Sequence, residues 1–99
     1  MKIKKIKIVK SENGQKLIKE AILKSTIEIS GIEIAIAKDS ERYYPFQAYH
    51  KLSGQPIGDP HEKLKEVVPD LKEKMSRVFS QPERWENFLI LVNQQEIIN

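Results

Sequence analysis

Four groupings of side chains in this 99-residue sequence could in principle do chemistry. His50, Asp59, His61 and Glu62 combine imidazole with carboxylate, the donors that suit zinc or iron, but their spacing matches no metal-ligand motif. The two histidines flank a loop rich in Gly and Pro and read as exposed or hydrogen-bonded structural residues, so no metal is expected. Ser25, Ser30, Ser40, Ser53, Ser76 and Ser80 lack a nucleophile-elbow context, and with no cysteine there is no thiolate. Ser53-Gly54-Gln55-Pro56-Ile57-Gly58 lacks the Gly-Lys-Ser/Thr ending of a phosphate cradle, so no nucleotide cofactor is expected from it. The carboxylate pairs Glu28/Glu33 and Glu83/Glu86 have no evident cleft to raise one pKa above the other. Catalysis is not the expected role.

Charge is the stronger signal. The net charge of +3 conceals a segregation: residues 1–24 carry eight lysines against two acids, a net +6, and the remainder carries −3. Such a pole attracts polyanions or an acidic protein face over about a Debye length, roughly 8 Å at physiological salt. The competing reading is that lysines keep the edge of a sheet soluble and unpaired. Tyr43, Tyr44, Phe46 and Tyr49, near Arg42 and Lys51, form the one interleaving of aromatic and basic residues. Aromatic faces on a sheet stack bases while neighbouring cations hold phosphates. A domain of this size also needs such rings in its core. The residues expected to contact nucleic acid are Lys4, Lys5, Lys7, Lys16 and Lys19, with Arg42 and Tyr44 assisting.

These residues need elements to position them. Length and a hydrophobic share of 39% fit a single domain, residues 1–99, and no apolar run approaches the roughly 18 residues of a bilayer span. The basic start, Met1 to Lys7, alternates lysine with isoleucine and does not read as a signal peptide, and the lack of cysteine suits a reducing cytoplasm. Asn13-Gly14 predicts a two-residue hairpin turn between strands Lys2–Lys10 and Gln15–Lys24. The second of these also fits a helical stripe through Leu17, Ile18, Ala21 and Ile22. Ile27 and Ile29 are followed by Ile32, Ile34 and Ile36, a phase flip at Ser30-Gly31 that a β-bulge or a tight turn would explain. An aromatic strand over 42–50 is expected at an edge or with a bulge because of Pro45, then a loop over 51–60. A strand over 62–68 is expected to stop at Pro69, with Asp70 capping a helix over 70–79 and a second helix over 82–97. The fold class is α+β: an antiparallel sheet of four to five strands, mainly within residues 1–68, with an N-terminal hairpin and two C-terminal helices. The last helix is apolar beyond one face, so Trp85, Phe88, Leu91 and Ile98 are candidates for burial between two copies in a homodimer, or against the sheet.

This order of elements resembles the stage V sporulation protein G family of septation regulators. The resemblance is carried by Ile6 to Gly14, by Ile27-Glu28-Ile29-Ser30-Gly31-Ile32-Glu33-Ile34, and by Val67-Val68-Pro69-Asp70-Leu71, and spans roughly residues 3–79. It implies a small bacterial protein that binds nucleic acid. The aromatic strand lacks the family's glycine before a Phe-Val pair and its Met-Pro ending, and Val68 stands where the family has histidine. No binding residue is therefore transferred by identity. The expected function is a nucleic-acid-binding or regulatory protein that contacts DNA or RNA phosphates through a lysine-rich hairpin. The rival is a protein-interaction module, such as a small phage or bacterial inhibitor, docking through a sheet edge or the C-terminal helix.

Overall fold

A computed structural model of the chain describes residues 3–94 and 97–99, without the side chains of residues 11, 12, 79, 85, 92 and 93. Asn13 and Gly14 take positive φ, 51° and 76°, the left-handed pair that a two-residue hairpin requires. They join β1 (Lys5–Glu12) to β2 (Gln15–Ile29), with Glu12 opposite Gln15. The segment that also fitted a helix is thus strand. Ser30 and Gly31, φ 49° and 82°, make a second such turn into β3 (Ile32–Lys38). Of the two readings of the phase flip, the turn is the one adopted. Partners across a two-residue hairpin are i and i+3, so odd positions meet even ones: Ile27 faces Ile34, and Ile29 faces Ile32.

The bulge lies elsewhere, inside β2, where the register slips between Leu23 and Ser25 and leaves Lys24 as the extra residue. That slip moves odd-numbered residues from one face of the sheet to the other. Ala21 and Leu23 pack with Ile6 and Ile8, whereas Ile27 and Ile29 pack with the β3 isoleucines on the opposite side.

β4 (Phe46–His50) and β5 (Pro56–His61) complete an antiparallel sheet of order β1-β2-β3-β4-β5. The aromatic strand therefore begins at Phe46, not Arg42, and lies inside the sheet. Pro45 stands just ahead of the ladder, where its missing N–H is not needed, and its carbonyl accepts from the Asp39 N–H at 2.8 Å. The expected irregularity is present as a register shift against β5 between Phe46 and Ala48. The segment read as loop over 51–60 is a connection only to Gln55. Pro56, Gly58 and Pro60 are accommodated because β5 is an edge strand, with Gly58 at φ 75°.

Helix α1 (Leu64–Phe79) replaces the expected strand over 62–68 and begins well before Asp70, which is not its cap. Val67, Leu71 and Met75, spaced by four, are buried on the sheet's isoleucine face, and this stripe outweighs the breaker. Pro69 sits on the exposed side of α1, where the one carbonyl it leaves unbonded can be served by water. Helix α2 (Pro82–Gln94) starts with proline at its first position, and its Phe88 and Leu89 pack half-buried against the same core. It ends short of the expected residue 97, because Ile98 and Asn99 instead donate their backbone N–H groups to the Leu52 carbonyl at 2.8 and 3.1 Å.

The helix-free face is buried by the sheet itself. Ala21, Ala35 and Ala37 are small enough to let the strands curl, and Ile6, Ile8 and Tyr49 fill the resulting concave side. The curl brings β1 onto the β4–β5 connection: the Val9 N–H donates to the Gly54 carbonyl at 2.9 Å. Gly54, at φ 73°, fits so closely that a Cβ there would stand 2.7 Å from the Lys7 carbonyl oxygen. Gly31, by contrast, has a positive φ in open space. Gly31→Ala is accordingly expected to cost about 1–2 kcal/mol from backbone strain alone. Gly54→Ala adds overpacking of about 1–3 kcal/mol to a similar strain. Urea unfolding of the two variants measures the difference, and equal losses would contradict the close approach.

Candidate nucleic-acid interface

Beyond the Ile22–Lys38 pair, β2 has only β1 as its ladder partner, so the first hairpin continues as a two-stranded arm. The register distributes its lysines over both faces. Lys5 and Lys7 alternate with the buried Ile6 and Ile8, and Lys16, opposite Ser11, shares their face. Lys10 and Lys19 project from the other face, the one that continues into the concave side. Lys4 precedes the strand and is exposed. Among the described residues, Lys4, Lys7, Lys10 and Lys16 form no ion pair, and Lys5 makes a loose one with Glu20 at 3.8 Å. Leu17 and Ile18 lie exposed between them.

Lys19 differs from the other expected contacts. Its Nζ lies 2.8 Å from Asp39 Oδ1 and 2.7 Å from Glu41 Oε2, two acids just past the end of β3. The hydrogen bonds it donates to both carboxylates hold its pKa above the ordinary lysine value. The positive charge is thereby consumed within the fold. Arg42 donates to the Gln47 Oε1 at 2.9 Å, and Gln47 in turn donates from Nε2 to the Gly58 carbonyl at the irregular stretch of β5. Tyr44 is half exposed and meets Tyr43 edge to face at 4.8 Å. The structure therefore groups Lys5, Lys7 and Lys16 on one face, joins Lys19 and Arg42 to the open end of the curled sheet, and places Tyr44 on the bend before β4.

At that open end is a cavity of about 170 Å³ lined by Ile8, Lys10, Asp39, Arg42, Gln47 and Tyr49 among others. Sequence reading singled out neither Asp39 nor Tyr49 as polar groups there, nor Lys10; only the alternation that places Lys10 on the Ile8 face hinted at it. Asp39 is 3% exposed. Burial works to raise its pKa, but the Lys19 hydrogen bond and the Glu41 backbone N–H outweigh it and hold the carboxyl below its ordinary range. Only Oδ1 takes part in those bonds; Oδ2 is buried with no hydrogen-bond partner. The Tyr49 hydroxyl is likewise buried and makes no well-aligned hydrogen bond, with the Arg42 side chain beside it. Burial pushes its pKa up, against the pull of the nearby Arg42 charge, so the phenol stays neutral and able to donate.

The remaining candidates fall elsewhere. His50 Nδ1 and the Ser53 hydroxyl share a hydrogen bond of 2.6 Å, and burial lowers the histidine's pKa. His61 Nε2 lies 2.9 Å from Asp70 Oδ2, and Lys74 bridges Asp70 and Asp59. Among the described residues no three metal-ligating side chains converge. Of the expected interface residues, Phe88 packs half-buried on the core, Leu91 is 58% exposed beside it, and Ile98 lies against Gly54. The Trp85 side chain lies outside the described residues. No protein family model matches the chain, and no curated protein or solved structure is detectably similar to it.

Two outcomes follow from these geometries. Because the folded-state pKa of Asp39 is lowered, its contribution to stability is complete above the unfolded value near 3.8 and is lost as pH falls through the folded one. Acid unfolding of Lys19→Met should therefore start at higher pH than that of the parent chain, and coincident transitions would show that the pair does not hold Asp39 ionised. A buried hydroxyl without a well-aligned hydrogen bond costs about 1–3 kcal/mol. Tyr49→Phe is thus expected to raise the melting temperature of the free protein, measured by calorimetry, and a lower one would mean that the hydroxyl is satisfied.

Proposed function

We propose that the protein binds the phosphate backbone of a nucleic acid through its N-terminal hairpin, as a small binding or regulatory module. The observation that supports this reading is the division of charge on the arm. Lys19 is neutralised within the fold, while Lys4, Lys7, Lys10 and Lys16 have no acidic partner among the described residues. Alternate residues of one strand recur every roughly 7 Å, at about 3.4 Å per residue, which suits tracking phosphates more than reading bases. The exposed Leu17 and Ile18 add apolar contact beside the charges. The resemblance to septation regulators points the same way, although its passage Val67 to Leu71 lies within α1.

A second reading, docking on a protein or on another copy of the chain, is favoured by one observation on α2. Ile90 and Leu91 are exposed there, and Leu91 lines an apolar groove with Phe88, Ile57 and His50. A protein interface of that kind is largely insensitive to salt, whereas each phosphate neutralised contributes about 0.7–0.9 to the logarithmic salt slope.

Fluorescence anisotropy with labelled single- and double-stranded oligonucleotides at several salt concentrations tests the choice. Replacing Lys5 and Lys7 together with Gln is expected to flatten the slope by about 1.4–1.8. Tyr44→Ala should weaken single strands by roughly 1–3 kcal/mol with little change of slope. Absence of binding at about 50 mM salt, where the electrostatic contribution is strong, would leave the lysines as solubility devices and transfer the function to α2.

A further inference from the structure

The lysine arm leaves one stretch of strand edge open. In an antiparallel ladder, alternate residues of a strand turn their N–H and C=O groups toward one neighbour and then the other. The Leu23 N–H donates to the Lys4 carbonyl at 2.8 Å, so the odd positions in this half of β2 face β1. The outward groups are those of Lys16, Ile18 and Glu20, on the side where β3 has ended at Lys38. Among the described residues no group bonds to them there. Ile18 is 53% exposed on one face of this stretch and Leu17 is 43% exposed on the other.

Such an edge is a template for another strand, and lysine is the usual device that keeps strands away. Here the device is incomplete. Lys19 is turned to Asp39 and Glu41, and Glu20, on the Lys16 face, is held only loosely by Lys5 at 3.8 Å with its side chain 62% exposed. One strand thus carries both a free cation and a free anion, so a second copy running antiparallel offers each its opposite. Three residues could lie on the two-fold axis of such a pair. At Lys16 the axis would set like charges directly opposite. At Ile18 it would place the partner's Gln15 opposite Ala21, where the Asp39–Glu41 turn stands across a recess of about 210 Å³. At Leu17 the partner's Gln15 stops opposite Lys19, and both conflicts are avoided. Leu17 then meets its own copy in a non-hydrogen-bonded pair, with Cα atoms about 4.5 Å apart and the side chains at their closest. Lys16 and the partner's Ile18 exchange both their N–H···O bonds, and Lys16 lies diagonal to the partner's Glu20, within reach of long side chains.

We propose that two copies of the chain associate through this edge, their β2 strands pairing antiparallel about a two-fold axis at Leu17. The axis is normal to the joined sheet, so Lys5 and Lys7 of both copies, which share the Lys16 face, come to lie on one side of it. The proposal goes beyond the phosphate-binding reading and does not depend on it, and it uses a surface other than α2.

The test is sedimentation of the full chain, without nucleic acid, at concentrations up to about 1 mM, which suit an interface at the small, weak end of the range. A monomer–dimer equilibrium is expected. Leu17→Lys, at an exposed position, should abolish it, while Leu91→Lys on α2 leaves it unchanged. Lys16→Glu and Glu20→Lys should each weaken the dimer about tenfold, and the two together should restore it. Within one strand these residues are four positions apart, roughly 13 Å, so rescue reports contact between copies. The chain has no cysteine, so Leu17→Cys carries a single thiol. A Cα separation of about 4.5 Å falls within the roughly 4.4–6.8 Å of disulfides, and this variant should form a symmetric disulfide at least about tenfold faster than Leu91→Cys. A monomer at about 1 mM overturns the proposal and leaves the edge to a strand from a different protein. A dimer lost in Leu91→Lys but kept in Leu17→Lys overturns it by placing the contact on α2. Equal cross-linking of the two cysteine variants, or a double charge exchange that restores nothing, overturns the pairing about Leu17.

Discussion

An edge strand exposes a row of unpaired amides, and in this chain the first strand escapes that state by being folded back onto the β4–β5 connection. The Val9 N–H reaches the Gly54 carbonyl, and the Asn99 side chain accepts from the Lys7 N–H at 2.7 Å while donating to the Lys7 carbonyl at 2.8 Å and the Lys51 carbonyl at 2.6 Å. One amide side chain thus serves both outward groups of Lys7, as a neighbouring strand would. Much else depends on this closure. Without it, Ile6 and Ile8 would lose Tyr49 and the β3 alanines as packing partners, the concave cluster would open to water, and the cavity beside Asp39 would have no second wall.

The closure also explains why the two sides of the sheet are built so differently. The convex face carries large isoleucines because two helices cover it, and the concave face carries alanines because curling leaves little room. A bulge at Lys24 lets a single long strand serve both, giving its first half to the concave side and its second half to the helices. The same bend carries the lysine arm past the end of β3, where Asp39 and Glu41 tie down Lys19. A buried carboxylate needs such a cation to remain charged, so the ion pair that removes Lys19 from the exposed basic surface is also what keeps Asp39 an acceptor.

Local turn chemistry made most of the β architecture legible in the sequence. Asn13-Gly14 placed the hairpin, and the alternation of isoleucine with lysine is the pattern that β1 adopts. Where local signals competed with burial they misled: Pro69 was read as ending a strand and holding off a helix until Asp70, whereas Val67, Leu71 and Met75 carry one helix straight through it, and the prolines of β5 hid a strand that an edge position tolerates. The lysine arm was visible because charge segregation is a property of composition. Its internal division was not, since the partners of Lys19 lie twenty and more residues away and meet it only through the curl. Asp39 carried no motif; its burial and its ion pair with Lys19 arise only in the folded chain.

The measurement that bears most directly on this account is backbone hydrogen exchange at β1. Closure predicts that the Val9 and Lys7 amides, though on the first strand of the sheet order, exchange as slowly as amides in the centre of β3. Exchange of both at the rate of an open edge, with β3 still protected, would mean that the sheet is not closed and that neither the concave core nor its cavity exists as described.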